Sequence, residues 1–154
     1  MLLRRLATTG AVIGLAVGLS NTPASAVPRS SVFVNQAQPV KCLDFRADYG
    51  PYTFGCNYGD YQTWYWNDDY EYTALRQKAT GLCLTLRNGQ LTMKPCAAAD
   101  QAAFWNVTNS PSGALIKNAV SHKCLARTAT VNDLVSTATC TGGSSQRWFI
   151  STPK

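Results

Sequence analysis

The chain has 154 residues, 45% of them hydrophobic, and a formal charge of +6 carried by 14 basic and 8 acidic side chains. That length suits one domain of ordinary size, and the modest charge lacks the dense basic surface that nucleic-acid binding needs. Six cysteines against a single histidine disfavour a histidine-based triad or zinc centre.

At the N-terminus, Arg4 and Arg5 precede an apolar stretch from Leu6 to Leu19 that ends in Ala24-Ser25-Ala26. This is the pattern of a secretory signal peptide over 1–26, too short and glycine-broken for a membrane anchor. The arginine pair suits the general secretory route and leaves the twin-arginine route open. Loss of Arg4 and Arg5 leaves twelve basic residues against eight acidic ones, a formal charge of +4 on 27–154. The expected product is a secreted, monomeric domain without cofactor, metal or membrane anchor.

Beyond residue 27 the chain repeats itself. Cys42-Leu43, Cys83-Leu84 and Cys124-Leu125 recur every 41 residues, and Val34, Leu75 and Ile116 recur at the same interval. Three copies, about 33–73, 74–114 and 115–154, are expected to close around a threefold axis. In copy one, short apolar runs between turn-forming clusters predict strands near Ser31–Asn35, Lys41–Phe45, Tyr52–Cys56 and Thr63–Asn67. In copy two, Asn88-Gly89 between Leu86 and Leu91 predicts a tight hairpin of the second and third strands. Copies one and three carry longer connections there, Arg46 to Pro51 and Thr128 to Asp133. Twelve short strands in three equivalent copies predict an all-β β-trefoil. In an exported chain the cysteines predict three disulfides. Sequence alone allows fifteen pairings, of which one treats the copies alike: Cys42 with Cys56, Cys83 with Cys96, and Cys124 with Cys140.

Cys42-Leu43-Asp44 with Gln62-Thr63-Trp64, and Cys124-Leu125 with Gln146-Arg147-Trp148, resemble the ricin B-type lectins over essentially the whole exported chain. In copy two, Gln101 stands four residues before Trp105 instead of two, and the fourth strand of that copy is expected to carry a one-residue insertion. The resemblance implies that Trp64, Trp105 and Trp148 form the core about the axis, with the glutamines satisfying nearby backbone groups.

Composition singles out copy one. All seven tyrosines (Tyr49, Tyr52, Tyr58, Tyr61, Tyr65, Tyr70 and Tyr72) and six of eight acidic residues lie between Asp44 and Tyr72. Carboxylates and amides hydrogen-bond sugar hydroxyls, while aromatic faces cover the apolar side of the ring, so copy one is expected to bind a glycan or polysaccharide. The stretch from Asp44 to Trp64 is also similar to the repeat of the actinohivin-like lectins of actinomycetes, which bind high-mannose glycans. That resemblance implies hydrogen bonds to mannose from Asp44, Asn57 and Tyr61, with Tyr52 and Phe54 lining the pocket and Gln62 behind it. Copies two and three have Thr85 and Ala126 in place of the aspartate, and Ala97 and Thr141 in place of the asparagine, so one working site is expected. A glycosidase pair among the acidic residues Asp44, Asp48, Asp60, Asp68, Asp69 and Glu71 competes with this reading, but so small a domain leaves little material for a cleft. An inhibitor or toxin subunit using the tyrosine-rich face for a protein partner is the stronger alternative.

Overall fold

The computed structural model describes residues 28–129 and 133–154. The expected signal peptide lies outside the described residues, as does the middle of the Thr128 to Asp133 connection. Copy one supplies β1 (Arg29–Asn35), β2 (Lys41–Arg46), β3 (Gly50–Gly55) and β4 (Trp64–Trp66). Copy two supplies β5 (Thr73–Ala74), β6 (Arg76–Gln77), β7 (Leu82–Arg87), β8 (Gln90–Pro95) and β9 (Phe104–Thr108). Copy three supplies β10 (Ala114–Asn118), β11 (Cys124–Arg127), β12 (Val135–Ala138) and β13 (Arg147–Ser151). Thirteen strands replace the expected twelve because the first strand of copy two divides at Leu75. Its two halves have different partners, β9 of the same copy for β5 and β4 of the preceding copy for β6.

The first and fourth strands of the copies close into a ring. β1 pairs with β13 and β4, β4 with β6, β5 with β9, β9 with β10, and β10 with β13. The second and third strands form three hairpins, β2–β3, β7–β8 and β11–β12, which cover one end of the ring. This is the expected β-trefoil. At the tip of β7–β8, Asn88 and Gly89 have φ of 51° and 76°, the positive values a two-residue hairpin turn requires. All three expected disulfides are present, Cys42–Cys56, Cys83–Cys96 and Cys124–Cys140.

Trp64, Trp105 and Trp148 are fully buried at the centre. Each indole Nε1–H donates to the backbone carbonyl of the leucine in its own second strand: Leu43 at 3.1 Å, Leu84 at 2.8 Å and Leu125 at 3.1 Å. Leu75 and Ile116 pack against them as expected, but their counterpart in copy one is Phe33, not Val34. Strand register shows the shift, since Val34 stands opposite Cys42 where Arg76 and Lys117 stand opposite Cys83 and Cys124. An extra residue in the turn between β1 and β2 moves the phase by one.

The copies are also tied by buried amides that the repeat pattern does not announce. The side chains of Asn35, Gln77 and Asn118 donate to the carbonyls of Ser145, Tyr61 and Ala102, each at the end of the preceding copy. A buried amide left without such partners would cost about 1–3 kcal/mol, so these contacts help to set the order in which copies meet.

Candidate functional site

Register places the first half of the site. Asp44 in β2 stands directly opposite Tyr52 in β3, and Phe54 stands opposite Cys42. Residues directly opposite, and those two apart along a strand, share one face of a sheet. Asp44, Tyr52 and Phe54 therefore line the same side of the hairpin. The Cys42–Cys56 bridge anchors the following segment beside that face and delivers Asn57 to it.

Gln62 organises the second half. Its amide is fully buried and makes four hydrogen bonds: Oε1 accepts from the backbone N–H of Asn57 at 2.8 Å and of Tyr58 at 3.2 Å, while Nε2 donates to Asp44 Oδ2 and to the Gly55 carbonyl, both at 2.9 Å. Both donors and both acceptors of the side chain are thereby used. The segment it holds is compact, with Tyr58 at φ 60° and the Gly59 N–H donating to Asn57 Oδ1 at 2.8 Å. A Cβ at Gly59 would lie 3.0 Å from that oxygen, so a larger residue would push Asn57 out of place.

These elements enclose an open cavity of about 420 Å³ lined by Asp44, Tyr52, Phe54, Asn57 and Tyr61, and also by Arg46, Ala47 and Asp48. The structure thus brings together all five residues expected to line one pocket, with Gln62 directly behind Asp44. Asp44 is 2% exposed; its Oδ1 accepts the Phe45 N–H at 2.7 Å. Phe54 and Tyr61 are 52% and 54% exposed, so half of each ring is free for contact. Tyr52 is buried, with its ring 6.0 Å from that of Phe54 and 5.0 Å from that of Tyr49. Burial pushes the Asp44 carboxyl above the ordinary aspartate value, against the opposing pull of the Gln62 amide, the Phe45 N–H and the Arg46 charge. Burial, followed by the charge of Asp44, pushes the Tyr52 phenol up as well and keeps its hydroxyl a neutral donor. Arg46 and Asp48 form an exposed ion pair at 2.9 Å. Both fall in the connection where the copies differ most, so the repeat does not place them beside Asp44 and Tyr52.

The same register in the other copies brings no such set together. Thr85 faces Thr92 and Ala126 faces Ser136, while Lys94 and Ala138 take the place of Phe54. In copy three Gln146 repeats the clamp, accepting from Thr141 and Gly142 and donating to Thr139. In copy two the glutamine position is held by Ala103, buried at the end of a short 3-10 turn over Gln101–Ala103. Gln101 is exposed at the start of that turn. The inserted residue therefore precedes the fourth strand of copy two and does not lie within it.

The tyrosines of copy one do not form one continuous face. Tyr65, Tyr70 and Tyr72 line a separate apolar cavity of about 380 Å³ with Trp66, Phe104 and Arg76, and it shares no lining residue with the first. Among the described residues, no three of His, Cys, Asp or Glu are grouped so as to hold a metal ion.

Residues 30–148 match the family model of the ricin-type beta-trefoil lectin domain. No curated protein is significantly similar to the chain in sequence. Similar solved structures include the designed threefold-symmetric protein ThreeFoil, with TM-score 0.70 and 17% identity over 79% of this chain and 97% of that one. The cytolethal distending toxin of Haemophilus ducreyi has a similar chain, with TM-score 0.68 and 16% identity over 80% and 83% of the two chains. The Polyporus squamosus lectin, solved with a sialylated epitope, is similar at TM-score 0.66 and 12% identity, over 80% of this chain and 49% of that one. At such identities the likeness is one of fold.

Proposed function

Because the chain belongs to the ricin-type β-trefoil lectin domain family, we propose that it is a secreted, non-catalytic carbohydrate-binding protein whose working sugar site lies in copy one. The observation that carries this reading is the convergence of Asp44, Tyr52, Phe54, Asn57 and Tyr61 on one cavity. Each oxygen of Asp44 accepts one internal hydrogen bond and retains a lone pair for a sugar hydroxyl. Asn57 commits Oδ1 to Gly59, which leaves its Nδ2 to donate. The half-exposed rings of Phe54 and Tyr61 offer faces to the C–H side of a pyranose. A mannose-type glycan is favoured by the likeness of copy one to the actinohivin-like lectins. A single site in a monomer offers no avidity, so binding is expected to be modest.

The test is a glycan-array screen of residues 27–154 beside its Asp44→Ala and Tyr61→Ala variants, each checked for an intact fold. Tyr61 is exposed, so its loss tests the site without disturbing the buried amide network. Binding of one glycan class by the parent that both variants lose is the expected result. Absence of binding by the folded parent, or binding indifferent to both substitutions, would refute the proposal. The separate cavity of Tyr65, Tyr70 and Tyr72 favours a second reading, a protein-binding face. A partner captured by the parent and lost on Tyr70→Ala, with Asp44→Ala still binding, would establish it.

A further inference from the structure

Tyr52 and Phe54 also line a smaller open cavity of about 250 Å³, a second one beside the proposed sugar site, together with Lys41, Arg46, Tyr49, Thr53 and Asp133. It shares Arg46, Tyr52 and Phe54 with the proposed sugar site, so the two cavities flank one common wall. Copy three supplies part of its lining. Asp133, at φ 51°, accepts at its backbone oxygen from the Thr53 N–H at 2.8 Å and from Thr53 Oγ1 at 3.1 Å, and Leu134 bridges to Tyr52.

The charge of this cavity differs from that of its neighbour. The Asp133 carboxylate is shared between the Lys41 ammonium at 2.9 Å and the Arg127 guanidinium. Both cations hold it below the ordinary aspartate value, the Lys41 hydrogen bond most strongly, so it stays ionised and occupied. Lys41 uses one of its three N–H donors there and sits 6.0 Å from the centre of the Phe54 ring. Arg46 uses one of its five donors on Asp48. Of the charged side chains that line this cavity, Lys41 and Arg46 are cations and Asp133 is the carboxylate, which leaves one surplus positive charge. Asp44, by contrast, gives the first cavity a negative floor.

We infer that the ligand is an acidic oligosaccharide, whose neutral unit occupies the first cavity and whose adjoining carboxylate-bearing unit lies in the second against Lys41 and Arg46. This rests on the reading of the first cavity as a sugar site, and adds the chemical class of its neighbour. A neutral neighbour could use the hydroxyl and aromatic groups of the second cavity. The surplus cation, held in place by copy three, is matched only by an anion.

The experiment is titration calorimetry of the folded domain with glucuronosyl-α-1,2-mannose and with its carboxyl-reduced counterpart, glucosyl-α-1,2-mannose. The acid is expected to bind about tenfold more tightly, as one charge-assisted hydrogen bond provides. That ratio is expected to shrink in Lys41→Gln, and in the parent when salt rises from about 0.05 to 0.5 M. Equal affinities, or a preference that survives both Lys41→Gln and high salt, would overturn this inference while leaving the lectin reading in place. Failure of both disaccharides and of every neutral mannoside to bind would overturn the two together.

Discussion

Replacing Gln62 by Glu tests how the site is held, because the change keeps the shape of a fully buried side chain and exchanges its NH2 for an oxygen. That NH2 donates to Asp44 Oδ2 and to the Gly55 carbonyl, each at 2.9 Å. The side chain cannot turn over, since Oε1 already accepts two backbone N–H groups. Two ionised carboxyls at this separation would repel by about 6 kcal/mol at an effective dielectric of about 20. Taking up one proton at pH 7, from an ordinary carboxyl value of about 4, costs only about 4 kcal/mol. The second route wins, so the variant is expected to fold with one shared proton. Loss of the Gly55 bond adds about 1 kcal/mol. The total, about 5 kcal/mol, should lower the melting temperature by more than about 10 °C at pH 7.

The cost is mostly protonation and therefore falls by about 1.4 kcal/mol per pH unit. At pH 5 the deficit relative to the parent should shrink by about 3 kcal/mol. The assay is paired thermal melts of parent and Glu variant at pH 7 and pH 5. A variant that melts within about 2 °C of the parent at pH 7, or a deficit that stays constant with pH, would refute the description of Gln62 as the donor to Asp44.

Other predictions concern binding, core and disulfides. Burial raises the Asp44 carboxyl in the folded state, so that carboxyl takes up its proton above the ordinary aspartate value of about 3.9 and ceases to be a two-oxygen acceptor. Sugar affinity should therefore decline as pH falls toward that value, before acid unfolding, which titration calorimetry with a circular dichroism control would follow; the same raised value means this one group destabilises the ligand-free fold above its folded pKa and relaxes below it. Trp105→Phe leaves the Leu84 carbonyl without its indole donor and should cost about 2–3 kcal/mol by urea unfolding. Replacing either the Cys42–Cys56 or the Cys83–Cys96 pair by serines should cost about 3 kcal/mol, since the loops are of similar length with separations of 14 and 13 residues. Only the first should also weaken sugar binding, because Asn57 follows Cys56 directly.

The parts of this molecule legible in the sequence are those each copy must repeat for itself. A cysteine pair, a leucine carbonyl and a tryptophan serve a copy internally, so they recur at constant spacing and declare the fold. The aspartate, asparagine and aromatic residues of copy one were legible for the opposite reason, as a departure from symmetry. Features that depend on two copies were not. The ties from Asn35, Gln77 and Asn118 join neighbours through amides of different length. Phe33 was obscured by one extra turn residue, and Ala103 by a glutamine that stood close to the expected place. Asp133 lies far from copy one in sequence and reaches it only through the packing of hairpins.

The pairing of β1 with β13 brings Val32 opposite Ser151 and Asn35 opposite Trp148, so the first and last of the described strands are stitched to each other by backbone hydrogen bonds. In effect the ring of strands is a loop whose clasp is non-covalent. A short linker across the clasp and a cut at Asn88–Gly89 would preserve the same ladder of neighbours. Deleting the last strand has a different effect: it would unfasten the ring and leave β1 and β10 each with a bare edge.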